Sequence, residues 1–203
     1  MENTKDEIRF YGEVLGEKDR TTAEAYCRYF DRKMRSILVK TSKIPLGKRP
    51  KVYFVTGRSI FGTQGKNSIA YWAVEAAGGS LVSKETEQYQ VEASMEQIIA
   101  WDPDYIVVGP LTPVGLVIDD PRWKGVKAVS DKKILPSPEG VFIWSHGSSE
   151  AFLLVMWLAK TLHPDLFRDL DVVREVRDYY RKFYHYPLTA EEARLILAHQ
   201  PPK

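Results

Sequence analysis

Two stretches hold the side chains able to do chemistry: VYFVTGRSIFGTQGKNS at 52–68 and VFIWSHGSSE at 141–150. The first has the texture of a phosphate-binding loop, an apolar run followed by glycines, a lysine and a helical pattern. A P-loop requires G-x-x-x-x-G-K-[ST], so that backbone amides cradle phosphates while lysine and hydroxyl meet phosphate and metal. Counting back from Gly65-Lys66 puts Ile60 at the first glycine position and Asn67 at the hydroxyl position. Starting from Gly57 and Gly62 instead puts Thr63 where lysine belongs. No G-x-G-x-x-G follows either, so neither a mononucleotide nor a dinucleotide site is supported. What remains is a strand-to-helix loop, expected to be flexible, that carries Arg58, Ser59, Thr63, Gln64 and Asn67.

The second stretch continues into Gly147-Ser148-Ser149-Glu150-Ala151, the G-x-S-x-A of a hydrolase nucleophile elbow. With His163, His185 and His199 downstream, a serine hydrolase using Ser149 is the alternative reading. Against it, Ala151 replaces the closing glycine and no HGGG-like oxyanion segment lies upstream. Ser148 as a helix N-cap, with Glu150 in a dipole-favoured first turn, explains the same letters. The histidines show no H-x-x-x-H or H-E-x-x-H spacing for zinc.

Behind these stretches, strands and helices alternate. KVYFVTG, SLVS, DYIVVG and KKILPSP read as strands, the third a run apolar enough to be buried on both faces. Helices are expected at 67–79, from Ser94 to Trp101, briefly near Pro121–Gly125, and from Ser148 to Leu162. The alternation predicts an α/β chain, a three-layer αβα lobe around a mostly parallel sheet. Before it, Thr4 to Glu7 has capping-box form and opens a helix ending at Gly16. A long helix over 19–42 follows, with Tyr26, Phe30, Met34, Ile37 and Leu38 in one stripe. After the lobe come helices over 171–184 and from a capping box at Thr189 and Glu192.

The charge balance, 29 Lys+Arg against 27 Asp+Glu, supplies no bulk positive field, so nucleic acid is not expected as a partner. The one cysteine, Cys27, sits beside an apolar stripe and reads as a quiet buried thiol. MENTKDEIRF has no apolar segment of an export signal, and AFLLVMWLA is half the ~20 residues of a membrane crossing, so the chain as written is expected to be soluble.

EQIIAWDPDYIVV, the GVFIWSHGSSEAFLLVMWLAKTLHPDLF segment and the ending KFYHYPLTAEEARLIL together resemble one family. It is that of the substrate-binding proteins of bacterial ABC importers, in the class for ferric siderophores, haem, cobalamin and related metal complexes, molybdate and tungstate included. The likeness runs from about Glu7 to Leu197. It implies two α/β lobes joined by one long helix, with ligand between them, and a binding protein rather than an enzyme, with no cofactor.

Set against that plan, residues 1–16 correspond to a remnant helix of an N-terminal lobe, 17–46 to the connecting helix and 47–203 to the C-terminal ligand-binding lobe. The rest of the N-terminal lobe and the export signal are expected to be missing. The resemblance implies a periplasmic or extracytoplasmic place, a metal chelate or oxyanion as ligand, and an ABC permease as partner. It puts Arg58, Ser59, Gln64 and Asn67 in a ligand-facing loop, with Arg58 able to grip an oxyanion or carboxylate. It puts Trp144 and His146 at the cleft as stacking and polar groups, where many relatives carry an Arg-Pro type of sequence instead of Ser-His-Gly. Glu96 corresponds to a glutamate that docks on permease arginines. A half-cleft exposing Trp144 is further expected to bind ligand weakly and to favour self-association.

Overall fold

The computed structural model describes residues 2–200, with side chains from Thr4 onward. It opens with a helical hairpin, α1 (Glu2–Leu15) and α2 (Glu17–Thr41), joined at Gly16 with φ 110°. A Cβ on Gly12 would stand 2.7 Å from that of Ala23, so glycine is what lets the helices close up. Ion pairs Lys5–Asp31 at 2.8 Å and Arg9–Glu24 at 3.0 Å run along the same seam. Thr4 lies inside α1 and is not its cap, because the helix already runs from Glu2. Helix α2 is unbroken for 25 residues. Its buried stripe includes Tyr26, Cys27, Phe30, Met34 and Ile37, whereas Leu38 turns out to solvent. Burial pushes the Cys27 thiol up, which suits an unreactive core group.

The lobe proper follows as β1 (Lys51–Val55), β2 (Gly62–Gln64), α3 (Ile69–Ala76), β3 (Ser80–Leu81), β4 (Gln90–Glu92), α4 (Met95–Trp101) and β5 (Tyr105–Val108). Two one-turn helices, α5 (Gly115–Ile118) and α6 (Lys127–Ser130), flank a 3-10 turn at Pro121–Gly125. Then come β6 (Ile134–Pro136), a 3-10 turn at Trp144–His146, α7 (Ala151–Leu162), α8 (Val172–Tyr179) with a π turn at Tyr180–Tyr184, and α9 (Ala190–Leu197).

Four strands form a wholly parallel sheet in the order β3-β1-β5-β6. Period-two alternation divides its side chains between two cores. Val52, Phe54 and Val107 meet α2, α3, α7 and α8, while Tyr53, Val55, Ile106 and Val108 meet α4, α5 and the segment around Trp123. The chain is therefore an αβα lobe, with the hairpin laid over α3 and α7 and the last helices beside them.

The region expected to be a flexible loop holds a small second sheet. β2 pairs antiparallel with β4, Thr63 opposite Val91, and Thr63 and Gln64 are buried. Gly65 explains itself here: a Cβ would lie 2.2 Å from the Thr86 carbonyl oxygen, so the glycine permits close backbone packing. Lys66 points outward and pairs with Glu87 at 3.4 Å.

Candidate functional site

In the strand order, connections from β1 lead to one side of the sheet and those from β5 to the other. The loops leaving their carboxyl ends therefore diverge, and a crevice opens between them, the place where ligands bind in open parallel sheets. Gly109 begins the loop after β5, and a Cβ there would stand 2.8 Å from the Val55 carbonyl oxygen, so the two loops leave the sheet in close contact. Above them lies an open cavity of about 530 Å³. Arg58, Ser59 and Phe61 form one wall; Leu116, Asp119 and Arg122 belong to the other.

The two arginines differ. Arg122 grips Asp120 with both ends of its guanidinium, Nε to Oδ1 at 3.0 Å and Nη2 to Oδ2 at 2.6 Å, and lies 4.7 Å over the Phe61 ring. That grip holds the Asp120 carboxyl below the usual carboxylate range. Arg58 is exposed and makes no ion pair or hydrogen bond among the described residues. Arg58 is thus a positive charge without an ion-pair partner at the cavity mouth, with the Asp119 carboxylate on the facing wall.

The other expected site residues fall into different places. Ser59 is taken up by the loop itself: its hydroxyl donates to Glu92 and accepts from the Phe61 amide at 3.2 Å. Gln64 is turned inward in β2, where its amide oxygen accepts from the Ala70 amide at 3.4 Å. Asn67 is exposed with φ 68°, a left-handed position that asparagine tolerates, just before the N-cap Ser68 of α3. His146 is exposed, edge-on to Phe142 at 6.4 Å.

Trp144 corrects the expectation. It is fully buried in the core shared with α3 and α7, so it neither stacks on a ligand nor offers apolar surface for pairing of two copies. A tryptophan has more area to gain from the core than from an open rim. Its indole lies beside the buried carboxyl of Glu150.

Glu96 is exposed in the first turn of α4. Its own backbone amide and the Ser94 hydroxyl hold its carboxyl below the ordinary value. The end of α4 lies by the start of β1, where Lys51 Nζ donates to the Trp101 carbonyl at 2.7 Å, so the start of α4 faces the carboxyl edge that holds the crevice.

Ser149 is no nucleophile by its surroundings. Its hydroxyl accepts from Tyr179 at 2.9 Å and shares a second hydrogen bond with Tyr184 at 3.1 Å. Burial pushes both tyrosines up, so neither serves as a base near neutrality. Helix α7 starts at Ala151, and Ser148 instead accepts from the Glu150 amide within the preceding turn.

The opposite wall, Leu116, Asp119 and Arg122, escaped the sequence reading. Its signal was the Asp120-Pro121 step, an N-cap followed by a fixed φ. Only the strand order, which is non-local, makes that step part of a site.

Residues 1–139 match the sequence profile described as periplasmic binding protein. The chain belongs to that family. It is 30% identical over 183 residues to the molybdate-binding protein MolA of Haemophilus influenzae, covering 89% of this chain and 51% of MolA. Among solved structures, a periplasmic solute binding protein of Veillonella parvula superposes with a TM-score of 0.85 at 26% identity, over 96% of this chain and 60% of that one. Molybdate-bound MolA superposes with a TM-score of 0.81 at 27% identity, over 91% and 56%. The chain thus spans about half the length of the curated relative it matches. The resemblance read from the sequence and the family found agree, and these relatives are solute-binding proteins, not hydrolases. Among the described residues no helix is long and apolar enough to cross a membrane.

Proposed function

We propose that this chain is the ligand-contacting C-terminal lobe, with connecting helix, of the solute-binding component of a bacterial ABC importer that works outside the cytoplasm and delivers to a membrane permease. In this reading α2 is the connector. The exposed Phe10, Tyr11, Val14 and Leu15 of α1 are the face that a first lobe would cover. The ligand is best read as an oxyanion. The observation that carries this is Arg58, unpaired at the mouth of the crevice, and the similarity to a molybdate binder supports it.

An NMR titration with sodium molybdate tests the reading. With half a cleft the expected affinity is weak, no tighter than ~10 μM, and Arg58→Ala is expected to lower it about tenfold, ~1.4 kcal/mol. Shifts should cluster at 57–61 and 115–122. No shift there, or binding indifferent to Arg58, would remove the oxyanion reading.

Glu96 is proposed to meet a basic site on the permease, where a surface carboxylate steers encounter and sets register. Glu96→Lys is expected to weaken capture by permease-bearing membranes. Unchanged capture would leave Glu96 with the single task of favouring the start of α4.

A further inference from the structure

A cavity of about 600 Å³ lies elsewhere, between the 139–141 segment, the π turn and α9. Three tyrosines line it: Tyr180, Tyr184 and Tyr186. The first two rings stand perpendicular, 87° apart with centroids at 5.0 Å. Gly140 lets the segment close over the back of the cavity, where a Cβ would come within 2.4 Å of the Tyr180 hydroxyl and 2.3 Å of Glu150 Oε1.

The charge on its walls has one sign. Glu139 and Glu192 both line the cavity, and none of the described lining residues is lysine or arginine. Glu192 accepts from the Tyr186 hydroxyl at 3.0 Å and from the Thr189 amide at 2.7 Å, and these donors hold it as a carboxylate. The cationisable side chain present, His199, stands with Nδ1 3.5 Å from Glu139 Oε2. Behind the wall, the Glu150 carboxyl is fully buried beside Tyr180 and Trp144. Aromatic faces combined with carboxylates and no fixed cation make a setting that suits a soft, weakly hydrated cation.

We propose that this cavity binds a small organic monocation, a methylated ammonium group set against the tyrosine faces and neutralised by Glu139 and Glu192. A strongly hydrated inorganic cation would gain little from tyrosine walls, whereas methylated nitrogen loses little water and contacts them with its whole surface. This site does not rest on the oxyanion reading, because it shares no lining residue with the Arg58 crevice.

The test is calorimetry on the 203-residue chain with choline and with its neutral isostere, in which carbon replaces the quaternary nitrogen. Choline is expected to bind saturably in the millimolar range or tighter, and the isostere at least about tenfold more weakly, since only the charge differs. Tyr186→Leu and Glu139→Gln, both at exposed or rim positions, are each expected to lower choline affinity at least about fivefold, while Arg58→Ala leaves it unchanged. Equal binding of the isostere, full affinity retained in either variant, or no saturable choline binding up to ~100 mM would each overturn the proposal.

Discussion

The Thr112 hydroxyl donates a 2.7 Å hydrogen bond to the Gly57 carbonyl, tying the loop after β5 to the loop after β1 across the crevice. Both walls of the crevice are thereby fixed to one another, independently of the sheet beneath. Thr112 is itself buried, so the bond is shielded from competing water.

Thr112→Val keeps the shape and removes the tie. It is expected to cost about 1 kcal/mol, the net worth of such a bond. In a chain of this size that lowers the unfolding midpoint by ~2–4 °C, read by thermal denaturation.

Trp144→Ala separates a core role from a ligand role. Loss of a fully buried tryptophan is expected to cost about 3–5 kcal/mol. Arg58→Ala, at an exposed position, should stay within ~0.5 kcal/mol. Denaturant unfolding of the two variants should therefore diverge widely. Near-wild-type stability of Trp144→Ala would contradict its placement.

Lys33 of α2 pairs with Glu175 of α8, and both side chains are largely buried, 19% and 9% exposed. Lys33→Met leaves the carboxylate without its partner and is expected to cost about 3 kcal/mol. Adding Glu175→Leu should restore most of that, because an apolar pair of similar volume needs no compensation. A double variant as unstable as the single one would mean that packing, not charge, governs the contact.

Burial pushes the Glu150 carboxyl above its ordinary value of 4.5, although Tyr180 and the Phe142 amide pull the other way. The native state then holds this proton more tightly than the unfolded chain does. The associated stability is complete below the ordinary value and is lost as pH climbs through the raised one. Glu150→Gln removes that loss, so the variant should gain on wild type in thermal midpoint as pH rises above the ordinary carboxylate value. A constant difference across that rise would show that Glu150 does not titrate in this way.

Features fixed by neighbouring residues were legible in the sequence. Ser94 with Gln97 and Thr189 with Glu192 form the capping boxes their spacing announces, and both helices start where expected. The apolar runs VYFV and YIVV are buried on both faces and form the two central strands. Features that depend on distant partners were not. GTQ and QVE are three residues each and become strands only by finding one another across 25 positions. The letters WSH could not say which ring faces inward, since that depends on α3 and α7. Arg58 was found by its loop, but its freedom from ion pairing follows only from where Asp120 and Arg122 sit.

The α2 stripe is buried from Ala23 through to Thr41, some 27 Å of axis at 1.5 Å per residue. Over that length the rod buries a side chain at nearly every turn, against α1 at its start and against the lobe beyond. Compliance between hairpin and rod is concentrated at Gly16, where the backbone breaks between two helices at a φ of 110°. A tug on α1 would therefore spend itself first in that one residue and reach the sheet only after the Gly12–Ala23 seam had given way.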